Sequence, residues 1–149
     1  MEIRQKIEDD FKQALKNKDG LTVSTLRMLK SALHNKEIEK RGERLTEAEV
    51  VKVISKQIKQ GQDSIEQFKK GQRQELVEKE TGECEILKRY LPKQLSQKEV
   101  EELVKKIISQ EGAKDKSDFG KVMKAVMAEL GAKAEGKLVS QIVSAQLES

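Results

Sequence analysis

Aromatic residues make up only 3% of this 149-residue chain, which has no tryptophan, one tyrosine, three phenylalanines and a single proline. Sheet proteins draw on aromatic and β-branched side chains, so this scarcity argues against a sandwich or barrel. Cys84 is the one cysteine, which excludes an internal disulfide. With one histidine beside it, the chain also lacks the four Cys and His ligands of a standard zinc site. No glycine-rich run ends in Gly-Lys-Ser/Thr; the Gly120–Lys121 pair lacks the upstream glycine of a phosphate loop. No stretch approaches the roughly 20 apolar residues that cross a bilayer, and MEIRQKIEDDF lacks the apolar centre of a signal peptide. Together these features set the expectation of a cytoplasmic protein with no membrane contact.

Charge is what the chain has in abundance. Charged residues are 38% of the total, and 30 Lys and Arg against 26 Asp and Glu leave a formal net charge of +4. That small excess is spread over the chain, so no basic arm of the kind that drives counterion release stands out. Lys and Glu favour helix, and the apolar residues recur at three- and four-residue steps throughout, which predicts an all-α fold.

Ile3, Ile7, Phe11, Ala14 and Leu15 define a first helix stopping near Asp19–Gly20, and Val23, Leu26, Leu29, Leu33 and Ile38 a second, with Thr22 as its cap and an end near Arg41–Gly42. Thr46 and Glu49 form a capping box before a long seam of Val50, Ile54, Ile58, Gly61, Ile65 and Phe68, read as one helix to about Lys70. Gly61 weakens a helix interior by about 1 kcal/mol, and close contact with a neighbouring helix is one reason to have it. Leu76, Val77, Cys84, Leu87 and Leu91 mark a fourth helix, interrupted or bent near Gly82 and stopped before Pro92.

The chain's only proline, followed by a second capping box at Ser96 and Glu99, is the best boundary in the sequence. The expected division is a helical domain of hairpin-like helices over residues 1–92 and a three-helix bundle over 93–149. In the latter, Val100, Leu103, Val104 and Ile107 face one way before Gly112. Phe119, Val122, Met123, Val126, Met127 and Leu130 follow, ended by Gly131 in the left-handed conformation, and then Leu138, Val139, Ile142, Val143 and Leu147. Helices of about 12 residues are marginal alone, so these three must stabilise one another by packing.

No catalytic constellation assembles. His34 has Ser31 one turn earlier but no assured orienting carboxylate. Cys84 lies on an apolar seam between Glu83 and Glu85, which would raise rather than lower its pKa. The acid pairs Asp9–Asp10 and Glu101–Glu102 read as solvated surface, and Met123 and Met127 read as core. The chain is therefore expected to have no cofactor, no metal and no enzymatic activity. What remains is a set of lysines and glycines at helix ends, where backbone amides and ammonium groups can jointly hold phosphate: Gly120, Lys121, Lys124, Lys133, Gly136 and Lys137.

YLPKQLSQKEVEELV, then GKVMKAVM, then GKLVSQIV resemble the YqeY family of bacterial proteins, and TVSTLRMLKSALHNKEIEK with the Leu45–Thr46 helix start extends the resemblance over the whole chain. The most specific pieces are Tyr90-Leu91-Pro92, Gln94-Leu95-Ser96, Gly120-Lys121-Val122-Met123 and Gly136-Lys137-Leu138-Val139, taken in that order. Family members often have a proline near Ala128 and arginine in the following turn, where this chain has Glu129 to Gly136. The family's helical fold is shared with the tail of GatB, a subunit of the tRNA-dependent amidotransferase. The resemblance implies a non-catalytic tRNA-binding or amidotransferase-associated module, with tRNA, an amidotransferase or another protein as partner. A protein–protein adaptor is the alternative. Transfer from the family would also suggest a carbon–nitrogen ligase with glutamine as amide donor, for which no residue here supplies the chemistry.

Overall fold

A computed structural model of the chain describes residues 2–148, and within them the fold is all-α, as the periodicity predicts. Seven α-helices follow in order: α1 (Ile3–Lys16), α2 (Gly20–Glu39), α3 (Glu47–Lys70), α4 (Gln74–Lys88), α5 (Gln97–Glu111), α6 (Phe119–Leu130) and α7 (Gly136–Glu148). Two single 3-10 turns, Lys116–Asp118 and Gly131–Lys133, flank α6. The chain divides between Leu91 and Pro92 into two compact units.

In the first unit α3 packs mainly on α4, and α2 bridges α1 and α4. Ile7 from α1, Leu26, Leu29 and Leu33 from α2, Val50, Ile54 and Ile58 from α3, and Ile86, Leu87 and Tyr90 from the α4 end make one core. Tyr90 is buried, and its hydroxyl donates to Asp10 Oδ2 at 2.6 Å, tying the end of α4 to α1. Burial, together with that carboxylate, pushes the Tyr90 phenol well above its usual range.

Several local expectations change. Leu15 and Ile38 lie 48% and 61% exposed, because each falls just outside the arc its helix turns towards the core. The cap of α2 is Asp19 rather than Thr22: its carboxylate accepts from Thr22 N–H at 3.2 Å and from Thr22 Oγ1 at 2.7 Å. Two acceptor oxygens on Asp19 serve both groups of Thr22 at once, which one hydroxyl at position 22 cannot do. α4 runs through Gly82 without interruption, since the glycine's missing side chain makes room for Leu21 from α2.

The second unit contains α5, α6 and α7. Val100, Val104, Ile107, Val122, Val126, Leu130, Val139, Ile142, Val143 and Leu147 fill its centre, joined by Ala134 from the turn. Met123 and Met127 pack at the margin of this core. The capping boxes at Thr46 and Ser96 both form, and Gly112 closes α5 at φ 66°, ψ 27°. Gly131 has φ 55° but ψ −123°, so it occupies a glycine-only region rather than the left-handed helical basin, and the chain continues into a 3-10 turn.

Candidate nucleic-acid interface

The six candidate phosphate contacts all belong to the second unit, and they fall into two groups. Gly120 and Lys121 open α6, with Lys124 one turn along; all three are exposed. The Lys121 ammonium reaches back to the end of α5, 3.3 Å from the Glu111 carbonyl and 3.8 Å from its carboxylate. Lys116, just before α6, pairs with Glu148 at the end of α7. The start of α6 is therefore surrounded by the ends of its two neighbours.

Lys133, Gly136 and Lys137 lie beyond the other end of α6, also exposed. There the Lys133 carbonyl accepts from Leu95 N–H at 2.8 Å, and the Ala132 carbonyl from Gln94 Nε2 at 2.7 Å. This end thus gathers the close of α6, the start of α5 with its Ser96 cap, and the start of α7. Gly120 and Lys121 stand ten and nine residues before the end of α6 at Leu130, about 15 Å at 1.5 Å per residue. The lysines do not converge on one anion; they mark two places on one bundle.

Gly120 and Gly136 share a second property. Neither adopts a positive φ, and a Cβ built on either would meet nothing within 4 Å. The fold itself gives no reason for glycine at these positions, since the space beside each is open.

Other candidates are disposed as follows. His34 is exposed on α2. Cys84 is buried, and its thiol donates weakly to the Ile58 carbonyl at 3.8 Å. Among the described residues no group of three or more His, Cys, Asp or Glu is placed to hold a metal ion. Sequence reasoning missed a groove of about 610 Å³ between α5 and α7, walled by Gln97, Glu101, Leu138, Ile142 and Gln146. Its floor comes from α7 residues that read as core by periodicity alone. Among the described residues no helix is long and apolar enough to cross a membrane.

A family model described as "Yqey-like protein" matches residues 4–147. Among curated proteins, "Altered inheritance of mitochondria protein 41, mitochondrial" of Kluyveromyces lactis is 35% identical over 95% of this chain and 80% of its own length. The protein of that name in Saccharomyces cerevisiae S288c is 35% identical over 83% of this chain and 68% of its own length. Its Lachancea thermotolerans counterpart is 45% identical over 57% of this chain, which spans 46% of that relative. These names correct the expectation of a cytoplasmic protein, since each relative is designated mitochondrial. A lone cysteine and the lack of a long apolar run do not separate the two compartments: both are aqueous, and a helical core forms in either by the same burial of apolar surface.

Proposed function

The chain belongs to the YqeY-like family, and from that premise we propose that it is a non-catalytic RNA-binding module that grips tRNA, alone or beside a tRNA amidotransferase, through its second unit. The observation that carries this reading is the pair of glycine–lysine helix starts. Gly120 and Gly136 each lie in the first turn of a helix with open space where a side chain would stand, and each has a lysine next in sequence. A helix start favours anions through its dipole, and an adjacent ammonium adds positive charge. Two such places at opposite ends of α6, about 15 Å apart along it, suit an extended polyanion better than a small phosphorylated metabolite.

Lysine contacts to phosphate position a nucleic acid without reading its bases. The expected behaviour is therefore tight binding at low salt with little preference among tRNA species. Labelled tRNA should bind Lys121→Glu and Lys137→Glu each several-fold more weakly than wild type at low ionic strength, as charge reversal replaces attraction by repulsion. Equal affinity of both variants and wild type would remove the reading. The groove between α5 and α7 favours a second one, an adaptor that seats a partner's apolar side chains over Leu138 and Ile142. Partners captured from extract and retained after nuclease treatment would favour it.

A further inference from the structure

The first unit carries a cationic surface that the reading above does not use. Lys52, Lys56 and Lys59 on α3 are four and three residues apart, so they fall within an arc of about 60° and span about 10 Å of helix. All three are exposed. The opposite side of α3 is fixed: Val50, Ile54, Ile58 and Gly61 are buried, and the capping box at Thr46 holds its start.

Several other cations of the first unit are held in ion pairs. Arg4 pairs with Glu37, Lys30 with Glu8, Lys36 with Glu39, Lys40 with Glu49, and Arg44 with Glu2. Lys52, Lys56 and Lys59 take part in no such ion pair or hydrogen bond among the described residues. Like charges one turn apart repel, so the stripe does nothing for the helix itself. Glu49, a turn before Lys52, is taken by Lys40 and the Thr46 N–H, and the next acid along the stripe is Asp63, a turn past Lys59.

We propose that Lys52, Lys56 and Lys59 form a second phosphate-contact track, on the first unit, that holds RNA backbone without reading bases. It rests on the RNA-binding reading above and extends that reading to a different surface. Two points favour RNA. Lysine supplies point charges rather than the planar fork that selects bases or a single bidentate anion. An anionic membrane would call for large apolar side chains beside the lysines, and the exposed ones, Leu15, Leu21, Met28 and Ile38, lie on α1 and α2.

The test uses the full chain, fluorescently labelled total tRNA, and vesicles of phosphatidylserine as a second probe, with helix content checked by circular dichroism. The triple variant K52Q/K56Q/K59Q should bind tRNA roughly tenfold more weakly, with a log-log salt slope shallower by about 2–3. K52R/K56R/K59R should bind like wild type. Each single Gln change should lower the slope by about 1, which keeps the test decisive if the triple variant folds poorly. An unchanged affinity and slope in the Gln variants would overturn the track; if Lys121→Glu and Lys137→Glu still weaken binding, the reading of the second unit stands without it. The reverse pattern would keep the track and remove that reading. Wild type that binds no tRNA would overturn both. Vesicle binding lost in the Gln variant while tRNA binding is kept would put a membrane in place of RNA and overturn the proposal.

Discussion

Lys18, Arg41 and Gln72 each hold the left-handed backbone conformation, at φ 54°, 58° and 57°. Each follows a helix cap, and the next residue's amide reaches back to close the helix: Asp19 N–H to the Ala14 carbonyl, Gly42 N–H to Glu37, Arg73 N–H to Phe68. This is the Schellman ending, which ordinarily places glycine where these three residues stand. Gln72→Gly should therefore raise stability by about 0.5–1 kcal/mol, read as a shift in urea midpoint at constant slope. A lower midpoint would contradict it. The sequence flags the ends of these helices through Gly20, Gly42 and Gly71, but the Schellman position falls on a neighbouring residue in each case, although Gly42 also has a positive φ of 85°. Composition marks the neighbourhood of a helix end, whereas hydrogen-bond geometry selects the residue.

Glu49 shows a single residue joining two levels. Its carboxylate accepts from Lys40 at 2.7 Å and from the Thr46 backbone N–H at 3.0 Å. The Lys40 bond first, and then the Thr46 amide, lower its pKa from the ordinary 4.5 to about 2. A depressed folded-state pKa means stability that is fully present above about 4.5 and lost as pH falls towards 2. Asp19, Glu99 and Asp115 move in the same direction, each through hydrogen bonds it accepts. Glu49→Gln should consequently lose less stability than wild type between pH 4.5 and 2 in acid titrations of urea midpoints. Parallel curves would show that the Lys40 pairing is not maintained in solution.

Among elements, the α3–α4 contact shows why a glycine can sit inside a helix. A Cβ on Gly61 would lie 2.6 Å from Cys84 Sγ, whereas on Gly82 it would lie 2.8 Å from Cδ2 of Leu21. Cys84 is a short side chain, buried to 5% exposure with little room to move; Leu21 is 36% exposed and can swing aside. Gly61→Ala should therefore destabilise by about 1–2 kcal/mol, overpacking outweighing the helix-propensity gain. Gly82→Ala should be near neutral. In a Cys84→Ala background the Gly61→Ala change should turn neutral or stabilising, and a cycle showing no coupling would contradict this packing account. The close contact at Gly61 was open to expectation from the sequence, but its partner was not, since Cys84 is 23 positions away and nothing in periodicity pairs them. At the same scale the capping boxes at Thr46 and Ser96 were fully legible, because their reciprocal bonds involve residues only three apart.

For the whole molecule, the apolar repeat made the all-α class legible and much of the core, while Leu45, Ile86, Tyr90 and Ala134 are buried residues that no helical stripe predicted. The disposition of the candidate site was not legible. Lys121 and Lys137 look like repeats of one motif, yet α6 carries them to opposite ends of the bundle. The ion pair of Lys121 with Glu111 was equally hidden, because it depends on how α5 and α6 meet. The stripe on α3 escaped notice since its three lysines stand out as one exposed face only once the opposite face of the helix is known to be buried. A reading in which phosphate, not bases, is held at several separate places makes one property central: affinity must fall steeply and linearly with the logarithm of salt concentration. The most direct measurement is tRNA affinity of the wild-type chain across a salt series from about 50 to 200 mM. Contacts numbering several should give a log-log slope of magnitude about 0.7–0.9 per phosphate, hence well above 2 in total. A flat salt dependence, or no binding at the low-salt end, would contradict it.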